Sequence, residues 1–146
     1  MITLVQKDPI DRSFVFENLA KENRTGAIVT FNGYVRDINS GVIKMFIEHY
    51  PGVTEKAIKK IQEHAQQNWN INNSIVIHRV GELLLNDEIV LVAVSGEHRT
   101  EAFRAAEFII DYLKTDAPFW KKEFFENHAK WVESKDSDIQ ELKKWK

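Results

Sequence analysis

The chain has 146 residues, 43% of them hydrophobic and 29% charged, with 20 Lys+Arg against 22 Asp+Glu and no cysteine. This is the length and composition of one globular domain, residues 1–146, whose core needs no covalent staples. The missing thiols exclude disulfides, CxxC redox pairs, thiolate zinc sites and any cysteine nucleophile or persulfide carrier, and a net charge of −2 gives no global attraction to nucleic acid or an anionic membrane, so an anion site has to be a local concentration of cations.

Taken in order, Ile2 to Gln6 reads as a short strand. Asp8-Pro9 supplies an N-cap and first-turn pair for a helix through Phe14, Phe16 and Leu19 that ends near Asn23. Gly26 to Arg36 (GAIVTFNGYVR) is β-branched, aromatic and alternating, which predicts a strand. Asn39-Ser40-Gly41 is turn chemistry, and Val42 to Tyr50 returns as a second strand, so the two are expected to form a hairpin. Pro51-Gly52 stops that strand. Thr54 and Glu55 then open a helix whose Ala57, Ile58, Ile61, Ala65 and Trp69 follow the 3.6-residue period.

Ser74 to Val80 and Glu88 to Ser95 read as two further strands, separated by Leu83-Leu84-Leu85 and an Asn86-Asp87 turn. Thr100 caps a third helix with a wide apolar stripe (Ala102, Phe103, Ala106, Ile109, Ile110, Leu113), which Asp116-Ala117-Pro118 ends. Phe119 to Phe125 and Ala129 to Glu133 read as short strands, and the tail from about Lys135 is charged, either a frayed helix or a docking segment. Hairpins mixed with helical crossovers argue for an α+β fold with a mainly antiparallel sheet. No segment approaches the roughly 18 apolar residues of a membrane span, and MITLVQKDPID lacks the basic and apolar regions of a signal peptide, so a cytoplasmic location is expected.

Three cation groups stand out. Arg36 ends a hydrophobic strand beside a turn; that position is ordinarily a solvated terminus, yet its planar five-donor fork also suits a phosphate or carboxylate. His98-Arg99 precedes a helix, where free N–H groups and the positive dipole end already favour an anion; the bland alternative is a surface loop neutralised by Glu97 and Glu101. Lys114, at a helix C-terminus, is what the dipole alone would select. Across the Pro118 bend, however, Lys121 and Lys122 follow the anchors Phe119 and Trp120, so Lys114 and Lys121 can approach each other. Two close ammonium groups shielded by aromatics have lowered pKa values, and a neutral lysine is a competent base or nucleophile. The five histidines show no HxxxH or HExxH spacing, so no metal site is expected. No phosphate-binding glycine loop or GxSxG elbow is present, and the four tryptophans read as core or interface.

The strings GAIVTFNGYVR, IEHYPGVTEKAI, IHRVGEL, DEIVLVAVSGEHRTEAF, DYLKTDAPFWKKE and KWVES, in this order and spacing, resemble the large catalytic subunit of molybdopterin synthase from about Gly26 to Ser134. The resemblance implies an α/β hammerhead fold with an additional antiparallel sheet. It also implies a heterotetramer, a dimer of large subunits each receiving the C-terminal tail of a small ubiquitin-like sulfur carrier. The implied reaction is a sulfurtransferase step of molybdenum cofactor biosynthesis: cyclic pyranopterin monophosphate takes two sulfurs from the carrier's thiocarboxylated terminal glycine and becomes molybdopterin, with water consumed and no resident cofactor. Carried over by motif, Lys114 and Lys121 are the catalytic pair, while Tyr34, Val35, Arg36, His98, Arg99, Lys122 and Glu123, with both lysines, match the substrate-binding segments. Two other readings stand beside this one: a non-catalytic module that docks a ubiquitin-like tail, and a different phosphate-substrate enzyme on the same scaffold.

Overall fold

In a computed structural model, which describes residues 1–19 and 23–146, the strands sort their side chains into opposed cores. The chain runs β1 (Ile2–Gln6), α1 (Arg12–Leu19), β2 (Ala27–Tyr34), β3 (Lys44–His49), α2 (Val53–Asn68), β4 (Ile71–Arg79), β5 (Gly81–Leu84), β6 (Glu88–Gly96), α3 (Arg99–Leu113), β7 (Phe119–Phe124), β8 (Ala129–Trp131), α4 (Asp136–Glu141) and a 3₁₀ turn (Leu142–Trp145). One four-stranded sheet is ordered β1-β4-β6-β2 and the other β5-β3-β7-β8. Among the described residues only β1 and β4 pair in parallel, so the expected α+β class with mainly antiparallel pairing is what forms.

Successive side chains of β4 and β6 point to opposite faces, and both faces are covered. Ile75, Ile77, Leu91 and Ala93 pack under α1 with Val15 and Leu19, whereas Val76, Val92 and Val94 pack against the stripes of α2 and α3. A third cluster, of Val35, Met45, Ile47, Val80, Leu83 and Ile89, joins the inner face of the second sheet to the end of the first. Gln62, fully buried on α2, donates to the carbonyls of Ile2 and Ser74 and to Ser74 Oγ and accepts from Thr3 Oγ1, which fastens the parallel edge strand without leaving a polar group unpaired. Among the described residues, no helix is long and apolar enough to cross a membrane.

Several local expectations need correction. β2 and β3 are not a hairpin: β2 pairs with β6 in one sheet and β3 with β5 and β7 in the other. The turn chemistry is real but closes a loop between sheets. The Asp37 carboxylate accepts the N–H groups of Gly41 and Val42, which holds it below the usual carboxylate range, and Ser40 and Gly41 take positive φ (51° and 111°). Asp11, rather than Asp8-Pro9, caps α1 through the Phe14 N–H (3.2 Å), because the Gln6 side-chain amide holds the Asp8 and Pro9 carbonyls outside the helix. The expected continuation of α1 over residues 20–22 lies outside the described residues. Leu83-Leu84 belongs to a strand, β5, that the apolar run concealed: Leu83 is buried and Leu84 exposed, an alternation too short to read. α3 starts at Arg99 with His98 as its cap, so Thr100 sits inside the first turn. The tail folds as α4 and the 3₁₀ turn, and Trp145 wedges edge-on against Trp69 and Phe108 (5.5 and 5.4 Å between centroids).

Gly26 opens β2 with its N–H on the Gly96 carbonyl (2.9 Å), and a Cβ there would lie 2.2 Å from the Glu97 carbonyl oxygen. Backbone cannot yield as a side chain can. Gly26→Ala is therefore expected to cost about 1–3 kcal/mol in urea unfolding, with an unchanged slope.

Candidate active site

The α3 stripe of Ala102, Ala105, Ala106, Ile109 and Leu113 is buried to its last turn, and Lys114 is the C-cap, its N–H on the Ile110 carbonyl. The Thr115 and Asp116 N–H groups both return to the Tyr112 carbonyl, Pro118 prevents continuation, and the chain enters β7 opposite His49. Buried Thr54 fixes this entry: its hydroxyl accepts the Tyr50 N–H and donates to the Pro118 carbonyl, both at 2.9 Å. Along β7 the pleat turns Phe119, Lys121 and Glu123 to one face and Trp120, Lys122 and Phe124 to the other.

The two lysines meet as the Pro118 bend predicts. Lys121 is enclosed, and its ammonium pKa is pushed below the usual lysine value, first by burial and then by the charge of Lys114, with Asp138 opposing and Lys135 adding to the depression. Lys114 is half exposed and lies 3.6 Å from the Asp138 carboxylate of α4. One amine thus gives up its proton more readily than an ordinary lysine, and the other stands at the surface.

The wall of this pocket was not singled out in the sequence. His78, 5% exposed at the end of β4, stacks on Phe119 with ring centroids 3.7 Å apart and planes 17° apart. Its Nδ1 lies 2.8 Å from the Arg79 carbonyl, which can only accept, so Nδ1 carries the proton. Burial and the nearby Lys121 charge push the His78 pKa down to about 3, leaving the ring neutral at physiological pH. His49 Nε2 stands 3.3 Å from Glu55. The sole sequence signal for His78 was a polar ring ending an otherwise apolar strand.

The other residues matched by motif divide. Glu123 is buried on the face of Lys121 and accepts the Asn39 side-chain amide (2.9 Å). Lys122 projects from the opposite face, over Trp131 and Phe124. Arg36 is exposed just past β2, whereas Val35 is buried, with its N–H on the Asp87 carbonyl. The Tyr34 hydroxyl accepts from Arg12 (2.9 Å), which also bonds Glu88 (2.6 Å). His98 and Arg99 are exposed at the N-terminus of α3, and its 15 residues put them roughly 22 Å from Lys114. One chain therefore brings together Lys114 and Lys121, with Glu123 two residues along the same strand face, whereas the length of α3 keeps His98 and Arg99 away from them. Among the described residues, Glu107, Asp111 and Glu141 also converge, with Lys144 at their centre (2.6, 3.1 and 2.7 Å).

Residues 5–116 match the family model described as MoaE protein. The chain belongs to the MoaE family. It is 49% identical over 143 residues to the molybdopterin synthase catalytic subunit of Vibrio cholerae, covering 97% of this chain and 95% of that protein. With the Escherichia coli molybdopterin synthase catalytic subunit it shares 50% identity over 129 residues, 87% of this chain and 86% of that one. The solved MoaE protein of Burkholderia ambifaria superposes with a TM-score of 0.84 at 41% identity, over 99% of this chain and 98% of the other. Molybdopterin synthase from Staphylococcus aureus gives 0.85 at 33% identity, over 90% and 96%. A Helicobacter pylori complex of subunits 1 and 2 of molybdopterin-converting factor shares the fold, with a TM-score of 0.76 at 19% identity and 90% of each chain covered. MoaE membership makes the chain a sulfur-transfer enzyme, with the catalytic role in molybdopterin synthesis.

Proposed function

We propose that this chain converts cyclic pyranopterin monophosphate to molybdopterin, taking both sulfurs from the thiocarboxylated C-terminal glycine of a small ubiquitin-like carrier subunit. The observation that carries the reading is the pair Lys114 and Lys121, one half exposed and one enclosed beside it, in a chain with no thiol of its own. Each transfer forms a carbon–sulfur bond on the substrate and ends when water releases the carrier's glycine as a carboxylate. Lys114 holds the anionic thiocarboxylate. Lys121 moves protons and stabilises the oxyanion that forms as sulfur leaves. No metal or resident cofactor is needed, and the proposed setting is the cytoplasm.

Arg36, His98 and Arg99 then hold the substrate phosphate, and this requires a second copy of the chain. β2 lies at a sheet edge with α3 packed across it. A two-fold axis across that edge would reverse α3, and on this proposal one copy's His98 and Arg99 complete the site that holds Arg36 and Lys114 of the other. Two large and two small subunits make the proposed heterotetramer.

The test incubates the wild-type chain with the pyranopterin and a thiocarboxylated carrier and weighs the products. A pterin carrying two added sulfurs, formed only when both reactants are present, is the expected result. Binding of the carrier without conversion would instead make this a docking module, and turnover of another phosphate ligand without the carrier would make it a different enzyme.

A further inference from the structure

At the junction of the two sheets, basic groups from different elements come close together: His49 and Lys121 near His78, and Lys114 and Lys135 near Lys121. β4 ends its pairing at His78 and Arg79 and leads into β5, so His78 is the last side chain of β4 on its face. Its partner in the stack, Phe119, is the first residue of β7 and lies on the same strand face as Lys121, two residues on. The ring is locked twice, by the stack and by the Nδ1–H bond to the Arg79 carbonyl.

The surrounding ionisable groups are on different elements. On β3, His49 pairs with Glu55 of α2. Lys114 caps α3, Asp138 is on α4, Lys135 just precedes α4, and Glu123 lies on β7 itself. The Arg79 guanidinium bonds the Lys7 carbonyl and stands 4.0 Å from Asp87. The stacked imidazole is the uncharged group near Lys121, buried against Phe119 two residues before it.

We infer that His78 is a positioning residue for Lys121: the imidazole, pinned to the Arg79 carbonyl and stacked on Phe119, fixes the start of β7 and keeps water from the inner side of the lysine pocket. This rests on the proposed role of Lys121 as the proton-moving amine. A dry wall disfavours the ammonium, whereas a gap there lets water stabilise it and returns the lysine toward its ordinary behaviour. An aromatic ring can replace the wall; a small polar group cannot.

The experiment compares wild type, His78→Phe and His78→Ser, following the Lys121 Cε resonance of each folded protein through a pH titration, with the signal assigned from Lys121→Arg. The acidic limb of sulfur transfer is measured alongside. In His78→Ser the Lys121 titration is expected to rise by about one pH unit, and the limb of kcat moves with it while KM for the pyranopterin stays within twofold. His78→Phe keeps the wild-type midpoint. An unchanged midpoint in His78→Ser, or an equal rise in both variants, overturns the inference. An ordinary lysine midpoint in the wild type would instead sink the role given to Lys121, and the two failures are thereby told apart.

Discussion

Lys114→Ala is expected to lower the rate of conversion by about 10²–10⁴-fold while leaving the fold intact. The side chain is half exposed and its ion pair to Asp138, at 3.6 Å, is at the surface, so its loss costs at most about 1 kcal/mol. A kinetic collapse without a matching fall in melting temperature separates a chemical role from a structural one. Asp138→Asn is the control: it removes the same ion pair and leaves the cation in place, so it retains activity. Full conversion by Lys114→Ala, with thiocarboxylated carrier supplied, would remove this lysine from the mechanism. The measurement is single-turnover formation of the sulfurated pterin, which is insensitive to carrier recycling.

A second large effect is expected from mixing two inactive chains. Arg36→Ala and Arg99→Ala each disable every site in their own homodimers when the phosphate is held by Arg36 of one copy and Arg99 of the other. In a mixed dimer both defects fall on one site and the second site is intact. Random exchange makes half the dimers mixed, so about a quarter of the wild-type activity returns. Were both arginines to act within a single chain, each mixed dimer would hold two damaged sites and no activity would return. The register of β2 on β6 is what makes the first outcome the expected one: Ala27 lies opposite Gly96 and Tyr34 opposite Glu88, so Arg36 and Arg99 of one chain follow opposite ends of the strand pair. Measuring activity against the mixing ratio gives the maximum at equal amounts.

Local pattern revealed the long elements. The period of α2, the stripe of α3 and the β-branched runs of β2, β4 and β6 each state their own conformation, because burial on one or both faces leaves a regular signature. What local pattern could not state is which strands share a sheet. Asn39-Ser40-Gly41 does turn, but a turn between sheets uses the same residues as a turn within one. The approach of Lys114 to Lys121 was readable because a single proline and two aromatic anchors lie between them. His78 was hidden, since its importance comes from Phe119, 41 positions away in the chain. The distance between His98 and Lys114 was implicit in the helix length, and the folded chain has one uninterrupted helix between them.

The passage of residues 35–43 from one sheet to the other has a consequence for how defects will present themselves. On the proposed reading, the phosphate is gripped from the end of the first sheet, at Arg36, and sulfur is handled from the second, at Lys121. The substrate is thus a gauge block set across a seam, and the seam is a small apolar packing of Val35, Met45, Ile47, Val80, Leu83 and Ile89 plus one stacked pair of rings. A methyl group lost there, as in Ile47→Val, alters the span between grip and chemistry before it threatens the fold. Such variants should look like damaged active sites when assayed and like sound proteins when melted, although none of the altered atoms touches the substrate.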